Sequence, residues 1–333
     1  MGVVGDVGDL LRTRYVFPAR GLAAAEFLGA REASGAYADL DDDHLAARLT
    51  SDLDEICHDR HLRVRVRPAD VANAVVKEDW EAAYREQQRL TNYGIAKVER
   101  LAGNVGLIDL RGVTDPAIGG RAIAAAMELV CRTEALVLDL RHNRGGAPQG
   151  VAMWCSYFFP DDETHLNDIH DAVEGTTRQF WTWPWLPGGR YLDRPVWVLV
   201  SGETFSGGEE LAYNLKVQRR GRLIGATTRG GAHPTTTLPL TTTLEISIPS
   251  ARAINPVTGT NWEGVGVEPD EAVDPGEALD VAYLAALQHV AAAEPSSRAA
   301  QEALDALTGH ELPPAGFEPA PPHEESGLLG SCP

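Results

Sequence analysis

Residues 196–219 read VWVLVSGETFSGGEELAYNLKVQR. The run Val196 to Val200 is continuously apolar and short, the pattern of a strand buried on both faces. A turn containing Gly202, Ser206, Gly207 and Gly208 follows, and an amphipathic helix is predicted over Gly207 to Arg219. A buried strand running straight into a helix is half of a βαβ crossover, so this stretch predicts a parallel sheet covered by helices.

The alternation extends on both sides of that stretch. NVGLIDL (104–110) precedes a helix over Ile118 to Cys131, and ALVLDL (135–140) precedes a helix near Gly150 to Phe158. The quoted unit comes next, then RLIGA (222–226). Together these predict an α/β fold with a core of largely parallel βαβ units. TTTLPLTTTLEISIPS (235–250) reads as a β-ribbon, and Gly276 to Val290 as a closing helix.

Upstream, the chain reads as an N-terminal helical cap: Pro18 to Ala33, Asp42 to His58 with an Asp run at its start, and Ala69 to Leu90. HLRVRVR alternates strictly from Leu62 to Val66 and is read as a short half-buried strand. The segment His165 to Arg190 carries Trp181, Trp183 and Trp185 with two prolines and a Gly-Gly turn. It is read as an aromatic loop that either walls a substrate pocket or plugs a hydrophobic gap. Past Gly309, prolines among acidic residues predict disorder. The expected organisation is 1–92 as helical cap with a short strand carrying His61, 93–295 as core, and 296–333 as a C-terminal helix and disordered tail.

A chain of 333 residues, 44% hydrophobic and 23% charged, is long enough to bury a sizeable core. Its formal net charge of −19 repels polyphosphate and anionic lipid surfaces, so neither nucleic acid nor a membrane is an expected partner. No apolar run reaches 18 residues, and the first residues lack the pattern of a secretory leader, so a cytoplasmic location is expected. Cys57, Cys131, Cys155 and Cys332 are scattered without CxxC pairs, which predicts no metal site and no disulfide framework.

Ser206 stands where the buried strand has ended and the helix begins, beside free N–H groups and the positive end of the helix dipole. That position suits a nucleophile, although Ser206 with Glu209 three residues later also spells a helix capping box. A second glycine turn, DLRHNRGG (139–146), follows ALVLDL and can aim backbone N–H groups at an anion. Gly207 and Gly146, with Gly145, are therefore the expected oxyanion donors, unless the glycines serve only a tight turn. His142 lies in that turn as a possible substrate contact. Asp139, Arg141 and Asn143 are read as structural groups bonding to turn backbone, and Glu209 and Glu210 as capping and dipole residues.

Four motifs in order, NYGIAKVERLAGNVGLIDLRG (92–112), LVLDLRHNRGG (136–146), TFSGGEELAYNLKVQRRGRLIGATTRGGAHP (204–234) and NWEGVGVEPD (261–270), resemble the tail-specific or C-terminal processing serine peptidases. The resemblance is to the branch that includes the tricorn protease core and the interphotoreceptor retinoid-binding protein repeats, and it covers roughly Asp54 to Asp270. It implies a crotonase/ClpP-like fold. Many members use a lysine about 25 residues after the serine as base, but Gly231 stands there in this chain. The resemblance implies instead that His61, in DRHLRV, is the base and Glu263 the group that orients it; His233, next to the vacant lysine position, is the competing base. No PDZ domain is expected, because residues 92 onward follow the helical cap directly.

The resulting expectation is a serine hydrolase that cleaves peptide bonds through an acyl-enzyme on Ser206, needing no cofactor and taking a peptide or small acyl substrate. His233, His142, Trp181, Trp183 and Trp185 are the candidate substrate contacts. Two alternatives use the same chain: acyl transfer or cyclisation on a biosynthetic intermediate, or a silent carrier of an apolar, retinoid- or lipid-like ligand. A homo-oligomer is compatible with the fold.

Overall fold

A computed structural model describes residues 2–67, 77–160 and 163–309. The expected tail past Gly309 and the first part of the helix expected from Ala69 lie outside the described residues.

The core is a six-stranded sheet of β2 (Ile95–Leu101), β3 (Val105–Leu110), β4 (Ala135–Asp139), β7 (Val196–Val200), β8 (Arg222–Gly225) and β12 (Glu271–Ala272), ordered β12-β8-β7-β4-β3-β2. Neighbours from β12 to β3 are parallel, and β2 closes one edge antiparallel to β3. Every residue of β4 and β7 is buried, as their unbroken apolar runs require. Their side chains alternate between two layers. Leu136, Leu138, Val196, Val198 and Val200 face one apolar cluster together with helices α5 (Pro116–Val130), α6 (Pro148–Ser156) and α7 (Gly207–Val217). Ala135, Val137, Trp197 and Leu199 face the other, with α8 (Ala278–Ala293) and α9 (Arg298–Thr308). The sheet is therefore a buried middle layer, the arrangement expected of crossover-linked parallel strands.

The N-terminal helices α1 (Val3–Arg14), α2 (Pro18–Ala33) and α3 (Asp42–Cys57) form a separate apolar cluster with β1 (Arg63–Val66) and the hairpin of β9 (Thr235–Pro239) and β10 (Leu244–Pro249). α3 starts on the Asp41 side chain, which accepts the His44 N–H, and stops where His58 turns left-handed. β1 then pairs antiparallel with β10, Val64 opposite Ile246. The expected strand and the expected ribbon are thus two parts of one sheet, and that sheet ties the N-terminal helices to the core. Residues 77–90 form α4 (Lys77–Leu90).

The Trp-rich segment is a loop only in its second part, 182–190, which carries Trp183 and Trp185. It begins with an antiparallel hairpin, β5 (His165–Asp171) with β6 (Thr176–Trp181), onto which β11 (Ala251–Ile254) adds a third strand. A register shift between His165 and Asn167 breaks the period of two, which hid β5 in the sequence. No helix among the described residues is long and apolar enough to cross a membrane.

Candidate active site

Ser206 lies at the entrance to α7 with φ 54° and ψ −120°. A non-glycine residue pays about 1–3 kcal/mol for such a conformation, which persists only where its surroundings fix it. The Glu209 carboxylate does much of that fixing. It accepts the Ser206 N–H at 2.8 Å, the Gly231 N–H at 2.8 Å, the Gly230 N–H at 2.6 Å and the Thr228 hydroxyl at 2.5 Å. Glu209 thus makes its part of the capping box, and the same buried side chain also fastens the serine turn to residues 228–231. Burial pushes the Glu209 carboxyl up, against the lowering effect of those four donors.

The two glycine turns meet at the serine. A Cβ at Gly145 would fall 2.7 Å from the Ser206 Cβ, and one at Gly207 would fall 3.0 Å from the Gly146 nitrogen. Gly146, at φ 147°, and Gly207 line one cavity with Ser206, and among the described residues neither N–H has a backbone acceptor. The Gly145 N–H is different: it donates to the Asn143 Oδ1 at 2.8 Å, so the expectation that it serves as an oxyanion donor is corrected. Asn143 also donates to the Leu110 carbonyl, and Arg141 chelates Asp139, so both act on the turn as expected.

His61 enters the same cavity, carried by the turn between α3 and β1. Its ring stacks on Phe205 with centroids 4.8 Å apart. Its Nδ1 is 3.7 Å from the Glu263 Oε2 and 4.0 Å from the Asp59 Oδ1, and makes no hydrogen bond. Among the described residues no hydrogen bond joins Ser206 to either histidine; nucleophile–base bonds are often long without substrate. A Cβ on Gly231 would come within 2.2 Å of the Phe205 ring and 2.6 Å of the His61 Cε1. The imidazole thus occupies the space that a side chain at position 231 would need, which gives a physical reason why a lysine is missing there.

His233 also lines the cavity and is 4% exposed. Its Nδ1 lies 2.8 Å from the Asp59 Oδ2, committing that nitrogen to a carboxylate. Asp59 is the residue that sequence reasoning missed, although it stands two positions before His61 in the motif already singled out. It accepts the His61 N–H on Oδ1, and on Oδ2 meets both His233 and the Tyr15 hydroxyl. Burial pushes the Asp59 carboxyl up, but His233 and His61 outweigh it and hold it below the usual range. Glu263 accepts the Ala232 N–H at 2.5 Å and lies 3.5 Å from the His233 Nδ1. Ligand atoms of Asp59, His61 and Glu263 lie within 4.8 Å of one another, but both Asp59 oxygens are already engaged, which suits a hydrogen-bonded charge network better than a metal site.

The remaining expected substrate contacts lie elsewhere. His142 is exposed and pairs with Glu203 at 3.2 Å; Trp181 stacks on His165; Trp183 packs against the main core; Trp185 is 74% exposed. None of them lines the cavity. The aromatic wall is Trp262, whose indole donates to the Gly231 carbonyl at 2.9 Å. Its neighbour Glu263 was the signal that pointed there. The cavity measures about 280 Å³. A larger groove of about 660 Å³ contains none of these residues, and its Lys216, Arg222 and Arg194 are already paired with acids.

The sheet and the serine turn define an α/β protein with a serine between two glycine turns, and comparison with known proteins gives its family. The model of Peptidase family S41 matches residues 104–273, and that of the N-terminal domain of Peptidase_S41 in eukaryotic IRBP matches residues 1–93. The chain belongs to peptidase family S41. Its fold is similar to that of a putative peptidase from Parabacteroides merdae, at 16% identity and a TM-score of 0.59 over 87% of this chain and 96% of that one. It is also similar to the photosystem II D1 C-terminal processing protease, at 14% identity and a TM-score of 0.52 over 82% and 92%. The tricorn protease matches with 12% identity and a TM-score of 0.52 over 83% of this chain and 34% of that one.

Proposed function

We propose that the protein is a serine peptidase that hydrolyses peptide bonds through an acyl-enzyme on Ser206, with His61 as general base. The observation that carries this reading is one cavity holding a serine in a strained turn, an imidazole, and two uncommitted N–H groups. A serine hydroxyl is a weak nucleophile at neutral pH, and a neutral imidazole takes its proton as it attacks. Glu263, with Asp59 behind it, faces His61 Nδ1, which leaves Nε2 for the serine and stabilises the imidazolium that forms. The Gly146 and Gly207 N–H groups receive the oxyanion, and as it collapses His61 gives its proton to the leaving amine, leaving the acyl group on Ser206. Water then attacks the acyl-enzyme, His61 taking its proton and returning it to the Ser206 oxygen as the acid product leaves.

His233 is read as a supporting residue because its Nδ1 is engaged by Asp59. At about 280 Å³ the cavity is small for a retinoid- or lipid-like ligand, which disfavours an apolar carrier. Acyl transfer to an acceptor other than water uses the same residues and differs only in the second step. A fluorophosphonate probe tests the reading: wild type is labelled at Ser206, and Ser206→Ala is not. A folded wild-type protein that stays unlabelled overturns it.

A further inference from the structure

Glu210 follows Ser206 by four residues on α7, and its N–H donates to the Ser206 carbonyl at 2.9 Å. Ser206 therefore stands one helical turn before Glu210, at the entrance to the helix. Glu210 lines the same cavity as Ser206 although it is only 5% exposed. Pro148, Ile169, Ala253 and Trp262 line the cavity with them. Among the described residues no cation pairs with its carboxyl; burial pushes it up to about 7, and the Asn167 amide set against it opposes that. Asn167 is itself fully buried.

A buried acid without a cationic partner is costly, and a cavity that sets apolar residues beside such an acid is complementary to a long aliphatic side chain ending in a cation. Asp59 and Glu263 beside the cavity add negative potential of the same sign. We propose that this cavity is the specificity pocket for the residue on the acyl side of the cleaved bond, and that Glu210 selects lysine or arginine there. The residue that acylates Ser206 has its side chain leaving the serine within one helical turn of Glu210, a span that a lysine or arginine stem covers. Asn167, which does not line the cavity, sets its amide against the Glu210 carboxyl from behind. The inference rests on Ser206 being the nucleophile.

Two measurements keep the pocket and the nucleophile separable. Matched peptide coumarylamides differing only in lysine or norleucine before the scissile bond are compared at pH 8. The expected kcat/KM ratio is at least about 10-fold in favour of lysine, falling close to one in Glu210→Gln. A wild-type protein that cleaves the norleucine substrate as well as the lysine one, or a ratio unchanged in Glu210→Gln, overturns the proposal. The second measurement uses Ser206→Ala, in which no acylation occurs, and titrates in acetylated product peptides ending in lysine or norleucine. Tighter binding of the lysine peptide, lost in the Ser206→Ala, Glu210→Gln double variant, supports the pocket even if probe labelling of wild-type Ser206 fails. Equal binding of the two peptides overturns the pocket while leaving the nucleophile standing.

Discussion

Glu209 and Glu210 are adjacent in the chain and opposite in circumstance. Glu209 satisfies four donors, so Glu209→Gln would place an amide NH₂ against N–H groups. The expected loss is about 1–3 kcal/mol, read from the urea midpoint, with slower probe labelling of Ser206 as the turn relaxes. Glu210 has no donor of that kind, and Cys155 and Asn167 are the side chains that face it from α6 and β5. Its folded-state pKa is raised to about 7 from 4.5, so the folded state holds the proton more tightly than the unfolded chain does. Stability is therefore unaffected below the ordinary carboxylate range, falls as pH rises between the two values, and is lowest above about 7. Glu210→Gln is expected to gain roughly 3 kcal/mol over wild type at pH 8 and little at pH 4, measured by denaturant unfolding at both. Asp59 runs the other way: its lowered pKa contributes stability above the ordinary range that is lost as pH falls through its folded value. Sequence could name Ser206, His61 and Glu263 because each sits in a motif. It could not separate two neighbouring glutamates, since capping and burial in a cavity look the same in the string SGGEE.

At the scale of elements, the parallel core was legible because β4 and β7 are buried on both faces and so are apolar along their length, apart from Asp139 at the end of β4. The hairpin β5–β6 was not legible. Most of its residues are polar, its period is broken by a register shift, and Trp181 in it, with Trp183 and Trp185 after it, drew attention to side chains that do not line the cavity. β1 was recognised as a strand, but its partner was not, because pairing with β10 joins residues about 180 positions apart. That pairing positions His61, so it should matter to chemistry beyond its share of stability. Ile246, fully buried opposite Val64, tests this: Ile246→Ala is expected to cost about 2–5 kcal/mol. Leu287→Ala, on the far face of the sheet, serves as the comparison for a similar loss. At a denaturant-free pH 8, Ile246→Ala should slow labelling of Ser206 several-fold more than Leu287→Ala does.

For the molecule as a whole, the formal charge of −19 says nothing of the fold but sets the field that a substrate meets. A cationic peptide approaching a negative protein associates more slowly as salt screens that field. The kcat/KM for a lysine substrate is expected to fall as sodium chloride rises from 0.02 to about 0.5 M, a range that shortens the screening length severalfold, while that for its norleucine counterpart changes little. The account as a whole depends on one claim, that residues from the N-terminal helical unit and from the core act together on Ser206. The most direct test is the second-order rate of fluorophosphonate labelling at Ser206 in wild type, His61→Ala and His233→Ala, each checked for cooperative unfolding. The rate should fall on the order of 10³-fold or more in His61→Ala and much less in His233→Ala; a folded His61→Ala protein labelled at the wild-type rate would contradict the account.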